Sequence, residues 1–403
     1  MSALARYLNV DDVRRAARRR LPRALFDFVD GGAGDEATVR RNSDCFDKYG
    51  FRGSVLAGVA ERDQSVQLFG RTISMPVLIA PTGLSGLLWP AGEAEVARAC
   101  SAADTVMTVS VSATLSLEAV MAASGAGKWL QLFIYRDREL TRELANRAKA
   151  ASYEALCLTV DYPVHGHRER DNRNGFTIGP QLRPSLFLDV LRRPAWWIRM
   201  ATTPKVTFGN FEGRGATGLA NVASYMSTLV DPSLTWKDLE WLRTIWDGPL
   251  VVKGVMRKED ALRAVELGCN AVEISNHGGR QLDHSIGTLD ALPEIADALG
   301  GCTPILLDGG IRRGADVLKA RALGATAVMI GRAHLWGLAV AGAAGVEHVL
   351  RILRDEIDVA MAIGGWRTLQ NIDESAVRRF EARFADSGSD RPGAYKQDIA
   401  IVP

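Results

Sequence analysis

Residues 304–333, PILLDGGIRRGADVLKARALGATAVMIGRA, follow a strand–helix–strand pattern. Two short apolar runs at 304–308 and 326–330 flank a helical pattern at 314–324. Strands that are apolar at nearly every position are typical of parallel sheets, whose strands are buried on both faces. The stretch therefore predicts a βαβ unit, in which a glycine-containing turn follows each strand.

The same pattern recurs along the chain. Further apolar strands are predicted at 76–80, 106–110, 129–134, 155–160, 249–253 and 271–275, and further helices at 92–103, 138–151 and 258–268. Eight units of similar length favour a closed (β/α)8 TIM barrel over the main alternative, a doubly wound open sheet. We therefore expect an α/β fold with a parallel barrel at its centre.

Three segments lie outside the repeated units. Residues 1–75 predict two or three helices and a short hairpin that flank the barrel, which we assign to 76–375. A long interval separates the fourth strand from the fifth, and we assign an inserted loop or lid to 162–235. Residues 376–403 are expected to form a C-terminal tail.

The composition argues against several classes of protein. The 403 residues carry 49 Lys and Arg against 47 Asp and Glu, so charge gives no indication of nucleic-acid binding. The five cysteines lack the spacing of a metal site and are expected to be reduced. No run reaches the roughly 18 apolar residues of a spanning helix, and the start lacks the apolar core of a signal peptide. We expect a cytoplasmic protein.

One segment of the insertion suggests contact with the inner face of a membrane. Residues 184–200, PSLFLDVLRRPAWWIRM, combine tryptophans with arginines in a short amphipathic pattern. Such segments can lie in the membrane interface. A lid over the barrel and an oligomer contact are the alternatives.

Polar, ionisable or glycine residues follow every predicted strand. The active site of a TIM barrel lies at these carboxyl ends, so the asymmetry predicts a site there. After strands seven and eight, LDGGIRRG and MIGRA offer backbone N–H groups and arginines, which is typical of a phosphate site; two plain glycine turns are the alternative. Lys253 ends a buried strand and needs an anionic or electron-rich partner, either a flavin or a nearby carboxylate.

His277 is the candidate general base. Histidine is the most common base near neutral pH, and Asp161 could orient its ring. Arg168 and Arg280 could bind a substrate carboxylate through paired hydrogen bonds. His165 and His167 lie on a loop without a third ligand, so we expect no metal site and place both on the surface.

The stretch SNHGGRQLD (275–283) resembles the signature of FMN-dependent 2-hydroxy-acid dehydrogenases and oxidases, a family that includes glycolate oxidase, lactate oxidase and mandelate dehydrogenase. Similar stretches extend the resemblance over roughly 8–370, and PTGLSGLLWP (81–90) is most similar to the mandelate dehydrogenase branch. Supporting similarity occurs at 21–36, 158–176, 251–255 and 306–333. The resemblance also suggests a homo-oligomer, a tetramer in many relatives.

The resemblance implies FMN as cofactor and a role for each matching residue. His277 would be the base, Asp161 its partner, and Arg168 and Arg280 the ligands of the substrate carboxylate. The residues implied to contact FMN are Lys253 near flavin N1; Thr82 and Gly83 near N5; Ser110, Gln131, Thr159 and Ser275 along the ring; and Asp308, Gly309, Arg312, Gly331 and Arg332 around the phosphate.

Two substrate-binding positions depart from the family pattern, because Phe28 and Phe133 stand where tyrosines are usual. A lost hydrogen bond to a charged group costs about 1.5–3 kcal/mol. Tyr135 and Tyr162 are candidates to replace the missing hydroxyls. With the small Gly83 and Ser112 nearby, the apolar rings predict a bulky or aromatic (S)-2-hydroxy acid as substrate.

Four other functions stay open at this point. The enzyme could pass its electrons to O2 as an oxidase, or to a quinone or another carrier. It could act on a peptide-derived substrate in a biosynthetic pathway, although Arg280 favours a free carboxylate. It could bind flavin without turnover, or be a barrel isomerase that acts on phosphorylated substrates.

Overall fold

The computed structural model describes residues 4–125, 127–175, 189–201, 206–212 and 228–380. Eight parallel strands form a closed barrel in chain order, and the last strand pairs with the first. The strands are β1 (Val77–Ile79), β2 (Met107–Ser110), β3 (Lys128–Leu132), β4 (Ala155–Thr159), β5 (Leu250–Val255), β6 (Ala271–Ile274), β7 (Ile305–Asp308) and β8 (Ala327–Ile330). The predicted TIM barrel is confirmed and the open sheet excluded.

A helix follows each strand and covers the outside of the barrel. The helices are α1 (Gly92–Ala102), α2 (Leu117–Ala122), α3 (Arg138–Ala150), α4 (Trp236–Ile245), α5 (Lys258–Glu266), α6 (Thr288–Leu299), α7 (Gly314–Ala322) and α8 (Arg332–Gly364). Local sequence sets their starts: the Asp137 carboxylate accepts hydrogen bonds from Glu139 N and Leu140 N at the start of α3. The strands are buried at almost every position, as their apolar sequences require.

Three helices precede the barrel, at Val10–Arg20, Arg23–Asp30 and Ala37–Asp47, followed by a hairpin of Val66–Leu68 and Arg71–Ile73. The last of the three helices is fixed to the barrel by Asp283, whose carboxylate accepts a hydrogen bond from Thr38 N at 2.9 Å. This contact satisfies a backbone donor in the first turn of that helix.

Residues 377–379 belong to the fold and not to the tail expected at 376–403. Strand Val377–Arg379 pairs antiparallel with Tyr49–Phe51, so the chain is still part of the fold at that point. The sequence VRR carries no strong strand pattern on its own, and the pairing partner is more than 300 positions away. Residues 381–403 lie outside the described residues.

One helix corrects the expectation that no segment could span a membrane. Helix α8 has 33 residues and is long and apolar enough by length and composition. However, 72% of its most apolar window is buried, because α8 packs against Val10–Arg20 and α1. Its apolar character therefore reflects a core helix that is covered on several sides.

The insertion after β4 contains two short described helices, Glu169–Arg173 and Pro194–Ala201. Residues 184–188 of the predicted membrane segment lie outside the described part of the chain. The remainder contacts the body of the protein, since Trp196 Nε1 donates to the carbonyl of Leu87 at 3.0 Å.

Candidate active site

A cavity of about 560 Å³ opens at the carboxyl ends of the barrel strands. Most of the predicted site residues line it, although they are spread over the whole chain. They are Phe28, Thr82, Gly83, Ser110, Gln131, Phe133, Thr159, Arg168, Lys253, His277, Arg280, Asp308, Gly309, Arg312, Gly331 and Arg332. Asp161 and Ser275 are absent from this wall. Asp161 instead contacts His277, and Ser275 is fully buried beneath Lys253 and His277.

The ring of His277 is oriented by a carboxylate. Its Nδ1 lies 2.9 Å from Asp161 Oδ1, and the ring lines the cavity. The backbone of His277 is anchored as well, because its N–H donates to Ser275 Oγ at 3.1 Å. With Nδ1 hydrogen-bonded to a carboxylate, a neutral ring carries its proton there and leaves Nε2 as a proton acceptor.

The turn that carries this histidine has an unusual backbone. His277, Gly278 and Gly279 all have positive φ, at 57°, 62° and 73°. This conformation is unfavourable for a residue with a Cβ, so His277 holds a strained position. Gly279 also allows close packing, because a Cβ there would lie 2.8 Å from Val39 N. The two glycines of the signature thus allow the sharp turn that directs the imidazole into the cavity.

Two arginines form a positively charged side of the cavity. Arg168 Nε donates to the carbonyl of Arg280 at 3.3 Å, and Arg280 Nη1 donates to the carbonyls of Phe28 and Gly31. Burial lowers the pKa of both guanidinium groups, and Arg168 and Arg332 lower that of Arg280 further. An anion bound between the two arginines would relieve this repulsion.

A second group of arginines lies after β7 and β8. Arg332 Nη2 donates to the carbonyls of Gly31 and Gly278, at 2.9 and 2.8 Å. Burial, then Arg332 and Arg14, lower the pKa of Arg312 to about 10. A Cβ placed on Gly331 would meet only open space, so there is room for a ligand beside these cations. The arrangement suits a phosphate group.

Lys253 contacts two carboxylates. A nearby carboxylate was one of the two partners predicted for this lysine, the other being a flavin. Its ammonium pairs with Glu273 and Asp308 and donates to Ser275 Oγ at 3.1 Å. Burial opposes the charge, but Asp308 and Glu273 raise the pKa of Lys253 well above its usual value. Lys253 also lines the cavity, so the carboxylate contacts do not remove it from the site.

Two side chains at the cavity mouth were not predicted to act together. The Tyr162 hydroxyl hydrogen-bonds His165 Nδ1, and the Tyr162 ring lies 5.3 Å from that of Phe133 and 5.8 Å from that of His277. Desolvation, then the nearby charges of Arg168 and Arg280, lower the pKa of His165 to about 4. His165 and His167 are both exposed, as predicted, and His165 also lines the cavity.

His334 was missed by the sequence analysis. It is buried in α8, where Nδ1 contacts the carbonyl of Ile330 at 2.9 Å and Nε2 contacts Thr82 Oγ1 at 3.2 Å. Burial lowers the pKa of His334 to about 4, so the ring is neutral. Because Nδ1–H donates to the carbonyl of Ile330, Nε2 accepts a hydrogen bond from the Thr82 hydroxyl and fixes its orientation. The dipeptide Ala333–His334 follows GR and gives no signal in sequence.

Several buried polar atoms around the cavity have no hydrogen-bond partner among the residues that the structure describes. They are Gln131 Nε2, Thr159 Oγ1, Asp161 Oδ2, Asp308 Oδ1 and Arg332 Nε. The Ser110 hydroxyl donates to Gln131 Oε1 at 3.0 Å, which leaves the amide nitrogen of Gln131 available. Unpartnered buried atoms are unfavourable by about 1–3 kcal/mol each, so their concentration here indicates a polar ligand.

Comparison with known proteins identifies the family. A model of the FMN-dependent dehydrogenases matches residues 17–379. The chain belongs to this family. L-lactate oxidase from a Nostoc species is 43% identical over 93% of this chain and 99% of its own length. L-lactate dehydrogenase from Pseudomonas aeruginosa is 42% identical over 92% of this chain and 98% of its own.

Among solved structures of this family, the monotopic membrane protein (S)-mandelate dehydrogenase is similar. The TM-score is 0.90 at 36% identity, over 93% of this chain and 99% of that one. Like other FMN-dependent dehydrogenases, this protein is an oxidoreductase that uses FMN. The cavity fits this cofactor on three counts: unpartnered donors and acceptors along its wall, the buried ammonium of Lys253, and two arginines beside the open space at Gly331.

Proposed function

We propose that this protein oxidises a bulky, preferably aromatic (S)-2-hydroxy acid to the 2-oxo acid, with His277 as the base. The hydrogen bond between His277 and Asp161 at the cavity wall carries this proposal. Membership of the family supports 2-hydroxy-acid oxidation in general. The size of the substrate and the roles of individual residues are the part that we add.

In the proposed mechanism, His277 Nε2 takes a proton from the substrate. Asp161 keeps Nδ1 protonated before the reaction and stabilises the imidazolium formed during it. Bound FMN supplies the acceptor for the two electrons that leave the substrate. Either the α-carbon proton or the hydroxyl proton is compatible with this role of His277.

Arg168 and Arg280 would bind the substrate carboxylate. Both guanidinium groups line the same cavity as His277, and Arg280 is held by the carbonyls of Phe28 and Gly31. A carboxylate fixed at one end limits how the α-carbon can sit, which places the reacting hydrogen near the base.

FMN would lie across the carboxyl ends of the strands and contact the residues that the family resemblance implies. Lys253 would face the N1 side of the ring, and Thr82 and Gly83 the N5 side. The ring would also meet Ser110, Gln131 and Thr159, with Ser275 as support beneath. The phosphate would be held by Asp308, Gly309, Arg312, Gly331 and Arg332.

The preference for a bulky substrate rests on the shape of the wall. Gly83 and Ser112 face each other so closely that a Cβ on Gly83 would lie 3.1 Å from the Ser112 Cβ. A larger residue at position 83 would be crowded, so this part of the wall stays small, and the apolar rings of Phe28 and Phe133 line the same cavity. The solved relative at 36% identity is an (S)-mandelate dehydrogenase, a name that denotes an aromatic substrate.

Tyr162 would supply the hydroxyl that Phe28 and Phe133 lack. It lines the cavity next to Phe133 and His277, whereas Tyr135 is almost fully buried in the wall. In this arrangement neutral His165 accepts a hydrogen bond from the Tyr162 hydroxyl. The phenol oxygen can then accept a hydrogen bond from a substrate hydroxyl.

Anaerobic mixing with a panel of acids tests the proposed substrate. We expect (S)-mandelate to bleach the visible absorption of the flavin faster than lactate or glycolate. A clear preference for lactate would overturn the bulky-substrate proposal. If no hydroxy acid bleaches the flavin, the protein instead binds flavin without turnover or acts on a peptide-derived substrate.

The electron acceptor has a second candidate. The relative at 43% identity is called an oxidase, which favours O2, and the relative at 42% is called a dehydrogenase, which favours a quinone or another carrier. Aerobic turnover with a peroxide assay separates them. Stoichiometric peroxide supports the oxidase, and its absence during turnover with an artificial carrier supports the dehydrogenase.

We also propose peripheral contact with the inner face of the membrane through 184–200. In the described part of this segment, Leu191, Trp197 and Ile198 are exposed, and Arg199 stacks on Trp89 at 3.7 Å. The solved relative is a monotopic membrane protein. Replacing Leu191, Trp197 and Ile198 by serine should move the protein from the membrane to the soluble fraction, and unchanged fractionation would contradict the contact. The expected tetramer remains a prediction that sedimentation can test.

A further inference from the structure

A buried glutamate lies directly beside the lysine of the site. Glu273 is on β6 with none of its surface exposed, and it is the cross-strand neighbour of Lys253 on β5. Its Oε1 pairs with the Lys253 ammonium, and its Oε2 accepts from the Cys157 thiol at 3.6 Å. An ionisable side chain in the middle of an otherwise apolar strand is unfavourable unless it is paired, so its position depends on Lys253.

The charges around Lys253 do not balance when all groups are ionised. One ammonium contacts two carboxylates, those of Glu273 and Asp308. Asp308 lines the cavity, whereas Glu273 does not. Glu273 can therefore influence a bound ligand only through the ammonium of Lys253. The other ionisable groups nearby are Cys157, whose pKa burial raises well above its usual value, and Asp161.

We propose that Glu273 tunes the charge of Lys253 toward the flavin and thereby lowers the reduction potential of bound FMN. This inference rests on the proposed placement of Lys253 beside the N1 side of the ring. Two electrons and one proton convert FMN to its anionic reduced form, which an adjacent ammonium stabilises. A carboxylate in contact with that ammonium cancels part of this stabilisation. Glu273 is therefore a positioning residue, since it acts through Lys253.

The effect is expected to depend on pH. Burial raises the pKa of Glu273, an effect that Lys253 opposes and Asp308 strengthens. A raised pKa means that the negative charge of Glu273 increases with pH, and protonation reduces its influence as the pH falls. A comparison at about pH 9 shows the largest effect.

The test measures the midpoint potential of the purified holoenzyme by equilibration with redox dyes, and sulfite binding as a second readout. Glu273→Gln keeps the shape and removes the charge. At about pH 9, we expect the equilibrium for two-electron reduction to rise at least about tenfold, or about 30 mV for a two-electron couple. Sulfite should bind more tightly by a similar factor, and the gap should narrow toward about pH 6.

Two further variants separate the possible causes. Cys157→Ala changes the packing around Glu273 without changing charge, so its potential should equal that of the wild type. Glu273→Leu provides a second uncharged side chain if Glu273→Gln holds too little FMN. Lys253→Met in the Glu273→Gln background tests the placement of the lysine without leaving its two carboxylates together, and it should lower the potential relative to Glu273→Gln alone.

The outcomes distinguish the two claims. An unchanged or lower potential in Glu273→Gln, together with a drop on adding Lys253→Met, overturns the role of Glu273 and supports the placement of Lys253. No change in either variant overturns the placement of Lys253, and the inference fails with it. A shift in Cys157→Ala equal to that in Glu273→Gln would assign the effect to packing and overturn the inference.

Discussion

Asp161 Oδ1 lies 2.9 Å from His277 Nδ1, although the two residues are 116 positions apart in the chain. Asp161 follows β4 and His277 follows β6, so the contact spans the end of β5 between them. There Gly254 leaves room, because a Cβ at that residue would lie 2.6 Å from the Asp161 Cβ. The barrel thus brings an acid and a base together without a local sequence motif.

Asp161→Asn should slow flavin reduction by about 10²–10⁴-fold while FMN stays bound. An amide cannot stabilise the imidazolium as a carboxylate does, and it can present its N–H to Nδ1, which reverses the tautomer. Rapid mixing with (S)-mandelate under anaerobic conditions measures the rate. A rate within threefold of the wild type would show that Asp161 has no part in the proton transfer.

Tyr162→Phe should lower kcat/KM by about 10–100-fold, which corresponds to the loss of a hydrogen bond worth about 1.5–3 kcal/mol. Tyr135→Phe is the matched control, because the Tyr135 hydroxyl is buried and has no hydrogen-bond partner among the described residues. Steady-state rates with a hydroxy acid compare the two variants. Equal effects of both changes would argue against a specific role of Tyr162.

Arg280→Met should raise KM for the acid and lower kcat/KM by at least about 10-fold, since a charge-assisted contact to the carboxylate is lost. The same enzyme should discriminate less between the acid and its uncharged amide than the wild type does. Arg98→Met is a suitable control, because Arg98 lies on the exposed side of α1 and pairs with Glu95. Retained discrimination in Arg280→Met would contradict carboxylate binding at this residue.

Asp283→Asn should destabilise the protein in a pH-dependent manner. Although burial opposes it, hydrogen bonds from Thr38 N and neighbouring N–H groups lower the pKa of Asp283 to about 2. A depressed pKa contributes stability above the unfolded value of about 3.8, and this contribution is lost as the pH falls toward 2. After allowance for solvent screening, we expect a loss of about 1 kcal/mol at neutral pH.

Unfolding in urea at pH 7 and at about pH 2.5 measures this difference. The gap between Asp283→Asn and the wild type should shrink at the lower pH, because a pH of about 2.5 lies well below the unfolded-state pKa of about 3.8 and much of the contribution of the Asp283 charge is already lost there. A gap that stays constant or grows on acidification would mean that the carboxylate charge does not fix the helix Ala37–Asp47 to the barrel.

Much of the fold could be predicted because burial on both faces leaves a clear mark in sequence. Runs such as 76–80 and 326–330 are apolar at nearly every position, and the observed strands β1 and β8 fall inside them. The site followed from the same fact, since the carboxyl ends of parallel strands meet at one rim. The pairing of Val377–Arg379 with Tyr49–Phe51 gave no such signal, because it depends on where distant segments meet.

Other contacts of the site also needed coordinates. Glu273 is a charged residue within the predicted strand AVEIS, and its partner Lys253 follows only from the register of β5 and β6. His334 lies in the first turn of α8 and contacts Thr82 where β8 pairs with β1. The sequence shows that Glu273 and His334 are ionisable. Their contacts with Lys253 and Thr82 follow only from how the strands pair in the closed barrel.

The role of His277 is tested most directly by the anaerobic reduction of FMN in His277→Asn and the wild type. Asparagine can still bond Asp161, so the variant should fold, bind FMN and be bleached by dithionite. With (S)-mandelate, we expect rapid bleaching of the wild type and a rate at least about 10²–10⁴-fold lower in the variant. Bleaching of His277→Asn at the wild-type rate would contradict the assignment of His277 as the base.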